Sequence, residues 1–228
     1  MTRPHAVVFD LDDTLFDHTG SAADAVAGWV TELGGATPSD ELLERWFAIE
    51  TTHFDAWLGG RVSHQEQRRL RLRDFLPLLD LPVPDGDAAL DASYEVFLDW
   101  YQRSWRAFAD ARPALEVARG DDLRVGVLTN GSTTQQNAKL AAIGLAGLVD
   151  VVCTSEDLGA GKPAREAYLK TCAALDVEPA AAVMIGDNLE LDVVAARAAG
   201  LTAVHLDRSA GHDLGELVDA ALRPANRG

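Results

Sequence analysis

Cysteine is almost missing from this chain: its 228 residues contain only Cys153 and Cys172. Two cysteines without metal-like spacing exclude a disulfide-built scaffold and fit buried thiols in a reducing compartment. Six scattered histidines give no basis for a histidine zinc site. Long hydrophobic runs are missing as well. The longest uncharged apolar stretch, 140–149, is far shorter than the roughly 20 residues of a membrane-spanning helix. Strand-like sequence begins almost at the first residue, so no secretory leader is expected and the location read from the sequence is cytoplasmic. Positive charge is scarce, with 20 Lys and Arg against 36 Asp and Glu and a formal net charge of −16. That balance argues against a nucleic-acid polymer or an anionic membrane as partner. An anionic small molecule would need positive charge built locally into its site. Lysine is the scarcer cation: three (Lys139, Lys162, Lys170) stand against seventeen arginines.

Hydrophobic residues make up 47% and charged residues 25% of the chain, as in ordinary globular proteins. Its length suits one or two compact units. Four short apolar, β-branched runs stand out: "AVVFD" (6–10), "LRVGVLTN" (123–130), "AAVMIGD" (181–187) and "LTAVHLD" (201–207). "VDVVCTS" (149–155) is a fifth of the same kind. Unbroken apolar runs predict strands buried on both faces of a parallel sheet. Helix-like segments over 133–143, 164–175, 189–199 and 213–222 alternate with them, which predicts a doubly wound α/β sheet. Residues 17–108 break the alternation. They read as four or five amphipathic helices punctuated at 34–40, 58–63 and 81–87, and all five tryptophans lie among them. The expected organisation is an α/β core of 1–16 and 109–228 with a helical insert over 17–108.

Chemistry-bearing residues gather where those strands end, and in a doubly wound sheet such ends converge on one crevice. Asp10, Asp12 and Thr14 follow the first strand, Thr129, Asn130 and Gly131 follow the second, Lys162 lies in "GKP", and Asp187 and Asp192 lie in "GDNLELD". Crowded carboxylates repel one another unless a cation or a reaction uses them. Oxygen ligands of this kind suit a hard cation such as Mg²⁺. A lysine, a threonine hydroxyl and the amides of a Gly-containing turn suit a phosphoryl group. Asp13 reads as an exposed or capping residue, and Thr14 as a residue that stabilises the loop.

"DLDDT", "LTNG", "GKP" and "GDNLELD", in this order, resemble the four motifs of the haloacid dehalogenase superfamily, and the helical insert resembles its C1-type cap domain. The resemblance covers nearly the whole chain. It implies a Mg²⁺-dependent phosphatase acting on a small phosphate monoester, of the sugar phosphate or nucleoside monophosphate class, through an aspartyl phosphate. Asp10 would be the nucleophile and Asp12 the general acid and base. Thr129 and Lys162 would hold the phosphoryl oxygens, with the backbone at Asn130 and Gly131 beside them. Mg²⁺ would be held by the Asp10 carboxylate, the Asp12 backbone carbonyl and Asp187. Asp192 would stand in a second layer or meet the metal through water. Where many relatives carry Asn, this chain has Leu191.

Other functions share the fold, a phosphomutase among them, though mutases of this type usually carry Gly-Val after the second aspartate where this chain has Asp13 and Thr14. A 2-haloacid dehalogenase uses the same nucleophile but lacks the second carboxylate of the first motif, so the presence of Asp12 favours a phosphatase. A silent binding module would be expected to have lost part of the quartet. The expected partner is a small phosphorylated metabolite, and the expected assembly a monomer or homodimer. In the insert, Arg61, Arg68, Arg69, Arg71 and Arg73 lie close together, and their first explanation is a helix face paired with nearby acids.

Overall fold

The computed structural model describes residues 3–121 and 123–222. They form two compact units, one from the chain up to His18 and from Trp105 onward, the other from Thr19–Ser104. In chain order, β1 (Ala6–Phe9) comes first. Four helices follow, α1 (His18–Glu32), α2 (Asp40–Leu58), α3 (His64–Phe75) and α4 (Asp87–Arg103). The chain continues through α5 (Ala111–Gly120), β2 (Arg124–Thr129), α6 (Thr133–Ala142), β3 (Val151–Thr154), a short α7 (Ser155–Leu158) and α8 (Arg165–Ala174). It ends with β4 (Ala182–Gly186), α9 (Ala195–Ala199), β5 (Thr202–His205) and α10 (Leu214–Leu222).

The five strands pair in parallel in the order β3-β2-β1-β4-β5. Every residue of β1 and β4 is buried, which is why their sequences are unbroken apolar runs rather than alternating ones. The register sets Val8 between Gly126 and Met184. Val8, Leu128 and Met184 pack with Tyr168, Cys172 and Leu175 from the region of α8 and with Ala196 of α9. Both cysteines are free and buried in this layer. From the central β1 the chain winds outward through β2 and β3, then crosses to β4 and β5 on the other side. The reversal lies between β1 and β4, so the crevice beyond their C-terminal ends is the topological switch point of the sheet.

One expected element differs. The segment read as a single helix over 189–199 is a π-helical turn, Leu189–Val194, followed by α9. The Asn188 side chain accepts from the amides of Glu190 and Leu191 and starts this wider turn. Wider turns of this kind recur at functional sites.

The second unit is wholly helical among its described residues. Ser39 and Ser63 cap α2 and α3 by accepting from the amides of Leu42 and Glu66. Trp46 is fully buried, its ring 4.9 Å from those of both Phe75 and Phe97, with Trp29 alongside. Trp105 falls outside this unit, unlike the grouping read from the sequence. After α4 the backbone returns to the sheet unit, where Asp17 donates to Arg106 and Phe108 to Leu15, and Trp105 meets Phe16 edge-on at 6.1 Å. Arg69, Arg71 and Arg73 of the basic stretch pair with acids within the helical unit. Arg69 makes a two-pronged contact with Asp91 at 2.7 Å and reaches Asp87 at 2.6 Å, while buried Arg71 meets Glu50 at 2.6 Å. No helix among the described residues is long and apolar enough to cross a membrane.

Candidate active site

The end of β1 delivers Asp10 to the switch point. Its backbone N–H donates to the Ile185 carbonyl at 2.9 Å, which continues the β1–β4 pairing by one step and fixes where the side chain emerges. The Lys162 ammonium lies 2.7 Å from Asp10 Oδ1 and 2.5 Å from Asp192 Oδ1. Asp192 is fully buried, and its second oxygen accepts from the Asn188 N–H at 3.0 Å. One carboxylate oxygen from each of Asp10, Asp187 and Asp192 lies within 4.8 Å of the others. This oxygen-rich group can hold a metal ion.

Electrostatics follow from that crowding. Burial pushes the Asp10 carboxyl well above the usual range; Lys162 pulls it back, and Asp192 and Asp187 push it further up. Asp187 rises to about 6, first by burial and then through Asp192 and Asp13. For Lys162, burial disfavours the ammonium, but Asp10 and Asp192 outweigh it and hold the proton firmly. Acids pushed up by one another are the expected signature of a place built for a cation.

Glycine is required at two positions here. A Cβ on Gly186 would stand 2.2 Å from Asp192 Oδ2, so only a bare backbone lets the buried carboxylate lie against the end of β4. A Cβ on Gly161 would come within 2.7 Å of Asn130 Oδ1. That side chain holds the Lys162 loop from both sides, donating to the Lys162 carbonyl at 2.8 Å and accepting from its N–H at 2.8 Å.

The remaining residues expected at the site occupy adjoining places. Thr129 is buried at the end of β2, and its hydroxyl accepts from Gln136 Nε2 at 2.6 Å. The Gly131 N–H, expected to face phosphate, donates to Ser155 Oγ at 2.9 Å, because the β2–α6 loop is tied to α7. The Asn130 side chain, expected to matter less than its backbone, is the anchor of the lysine loop. Thr14 does more than steady its own loop. Its hydroxyl donates to Asp187 Oδ1 at 3.2 Å and accepts from the Asp187 N–H at 3.1 Å, which joins the β1 and β4 loops. Asp13 takes a left-handed backbone (φ 58°), and Arg208 donates to the carbonyls of Asp13 and Thr14 behind it.

Asp12 occupies different surroundings from Asp10. Its Oδ1 lies 2.6 Å from Lys139 Nζ and its Oδ2 accepts from Gln136 Nε2 at 3.0 Å. Burial alone would raise this carboxyl, but Lys139, then His18, outweigh it and hold the group below the usual range. Sequence reading passed over Lys139 and Gln136. Their signal was present: one of only three lysines, three residues beyond a glutamine on a helix that starts beside "TNG".

The family model for haloacid dehalogenase-like hydrolases matches residues 4–200. A ribulose-1,5-bisphosphate 5-phosphatase of Halopiger xanaduensis is 33% identical over 218 residues, covering 95% of this chain and 90% of its own. The magnesium-bound putative hydrolase YfnB of Bacillus subtilis superposes with a TM-score of 0.77 over 96% of this chain and 99% of its own, at 19% identity, a likeness of fold alone. A 2-haloacid dehalogenase of Pseudomonas syringae pv. tomato superposes with a TM-score of 0.66 at 28% identity, over 95% of this chain and 98% of its own. With its motifs gathered at the switch point of a parallel sheet, the chain belongs to the haloacid dehalogenase-like hydrolases.

Proposed function

We propose that the protein is a Mg²⁺-dependent phosphoric monoester hydrolase acting on a small phosphorylated metabolite of the sugar phosphate or nucleoside monophosphate class. The observation that carries this reading is the division of labour between two carboxylates two residues apart. Asp10 stands with Lys162 among the metal-competent acids, and Asp12 stands apart on Lys139 and Gln136. Carboxyl groups in unlike environments suit unlike roles. The similarity to a named sugar-bisphosphate phosphatase over nearly the whole chain supports the same class.

Asp10 attacks phosphorus, and the P–O bond to the leaving group breaks with its electron pair going to the ester oxygen. Asp12, whose pairing with Lys139 favours the ionised form, gives that oxygen a proton from its minor protonated fraction. In the second step Asp12 takes a proton from water as the water oxygen bonds to phosphorus, and the bond between Asp10 and phosphorus breaks to release phosphate. Lys162 has three N–H donors, two of which meet Asp10 and Asp192; the third is assigned to a phosphoryl oxygen. Thr129 accepts from Gln136, so its own hydrogen is assigned to another phosphoryl oxygen. Asp10, the Asp12 carbonyl and Asp187 would hold Mg²⁺, with Asp192, already engaged by Lys162 and Asn188, behind them. When bound, the ion neutralises charge on the transferring group.

The test separates the two carboxylates. Asp10→Asn is expected to abolish turnover of every ester. Asp12→Asn should still transfer phosphoryl from p-nitrophenyl phosphate, whose leaving group needs no acid, then stall. Its signature is a burst of p-nitrophenol near one per enzyme with phosphate retained on the protein, and near inertness toward β-glycerophosphate. Equal losses on both esters without a burst would refute the proton-transfer role. Halide release from 2-chloropropionate with no phosphate release would favour the dehalogenase reading, and ligand binding without turnover in Mg²⁺ the silent module.

A further inference from the structure

Lys139 is the least expected residue of the sheet unit. Its side chain is 3% exposed, yet it carries a charge whose burial costs several kcal/mol unless compensated. The compensation is specific: Asp12 Oδ1 lies at 2.6 Å, and the ammonium stands 4.8 Å from the centre of the Phe16 ring. The ring is itself tied to the Asp12 loop, because Phe16 pairs with Asp12 as an isolated bridge. Gln136 lies three residues earlier on α6, hence on the same face. Its amide donates one hydrogen to Asp12 Oδ2 at 3.0 Å and the other to Thr129 Oγ1 at 2.6 Å.

We propose that Lys139 and Gln136 form a clamp on α6 that sets the orientation of the Asp12 carboxylate relative to Thr129, with Lys139 as a positioning residue for proton transfer. This rests on the reading of Asp12 as the proton carrier. With both oxygens held from one helix face, the carboxylate cannot rotate about its own axis. The direction in which the carboxyl presents its proton to the leaving-group oxygen, and later takes one from water, is therefore fixed before substrate arrives. The same amide ties that direction to the hydroxyl assigned to phosphate. A misplacement of about 1 Å at such a group costs about 10²-fold in rate.

The consequence is read in a double-mutant cycle, with kcat on β-glycerophosphate and burst kinetics on p-nitrophenyl phosphate as its readouts. Lys139→Met is expected to lower kcat for β-glycerophosphate about 10²-fold with KM changed less than about threefold. Asp12→Asn should be nearly inert toward β-glycerophosphate, so in that background the same substitution is read on p-nitrophenyl phosphate, where it should keep the burst amplitude and slow the burst less than about threefold, since there is no longer a carboxylate to orient. Lys139→Arg, which keeps the charge, should recover part of the loss. An equal loss in both backgrounds, or loss of the burst, would mean that Lys139 acts independently of Asp12 and would overturn the proposal while sparing the function. Undiminished turnover of β-glycerophosphate by Asp12→Asn itself would overturn both. Should Lys139→Met fail to fold, the cycle is run with Lys139→Arg, whose planar head fits the 2.6 Å seat differently, and an uncoupled loss there overturns the proposal equally.

Discussion

Asp187 illustrates how a single residue reports what its neighbours are for. Buried beside Asp192 and Asp13, its carboxyl is pushed up to about 6. An acid raised above its ordinary value binds its proton more tightly in the folded protein than in the unfolded chain. Its contribution to stability is therefore lost as pH rises from about 4 through 6, and a cation that replaces the proton restores it. Two outcomes are expected. Mg²⁺ should raise the melting temperature more at pH 7.5 than at pH 5. The Mg²⁺ concentration for half-maximal activity should climb, by up to about tenfold per pH unit, as pH falls below 6. A Mg²⁺ requirement that stays flat from pH 7.5 to 5 would remove Asp187 from the ligand set. The identities of Asp10, Asp187 and Lys162 could be read from the sequence because each follows an apolar strand or sits in a Gly/Pro-framed loop. Lys139 could not be read that way. Its partner Asp12 is 127 residues away, and only the closing of β1 against β2 brings them together.

Among the elements, the end of β4 carries the tightest constraint. Gly186 is the last residue of the strand, and the π-helical turn that follows folds Asp192 back onto it. Gly186→Ala would drive a methyl into the Asp192 carboxylate, so the carboxylate or the strand end must move. Overpacking of this kind costs about 1–3 kcal/mol. Because Asp192 also holds Lys162, the variant should lose activity beyond its loss of stability. Denaturant unfolding beside single-turnover phosphate release at a temperature where the variant is folded tests this, and full activity there would show that Asp192 tolerates displacement. The strands were legible from apolar runs, since a strand buried on both faces leaves no other pattern. The wider turn was not. Its cause is the bonding of Asn188 and the burial of Asp192, neither of which alters the helical spacing of "LELDVVAARAA".

The molecule as a whole joins a sheet unit rich in chemistry to a helical unit without any of the four motifs. We assign selection among phosphate monoesters to the helical residues 19–104. Replacing that segment with the corresponding one from a related phosphatase should change which metabolites are cleaved and leave p-nitrophenyl phosphate hydrolysis within about threefold, as expected when chemistry and selection reside in separate parts. Unchanged preference in a well-folded exchange would place selection in the sheet unit instead. The boundary of that exchange was legible from the loss of strand pattern near residue 17, but its far end was blurred by Trp105, whose composition matches the helices and whose packing matches the sheet. The scarcity of lysine has a use in spectroscopy. Two of the three, Lys139 and Lys162, are buried against Asp12 and Asp10, and the third, Lys170, donates to the Leu158 carbonyl on α7. Isotope labelling of lysine alone would give a side-chain spectrum of three ammonium signals. Two of them would arise from the proposed reaction centre, one beside Asp12 and one beside Asp10, and the third would serve as an internal reference on the same molecule.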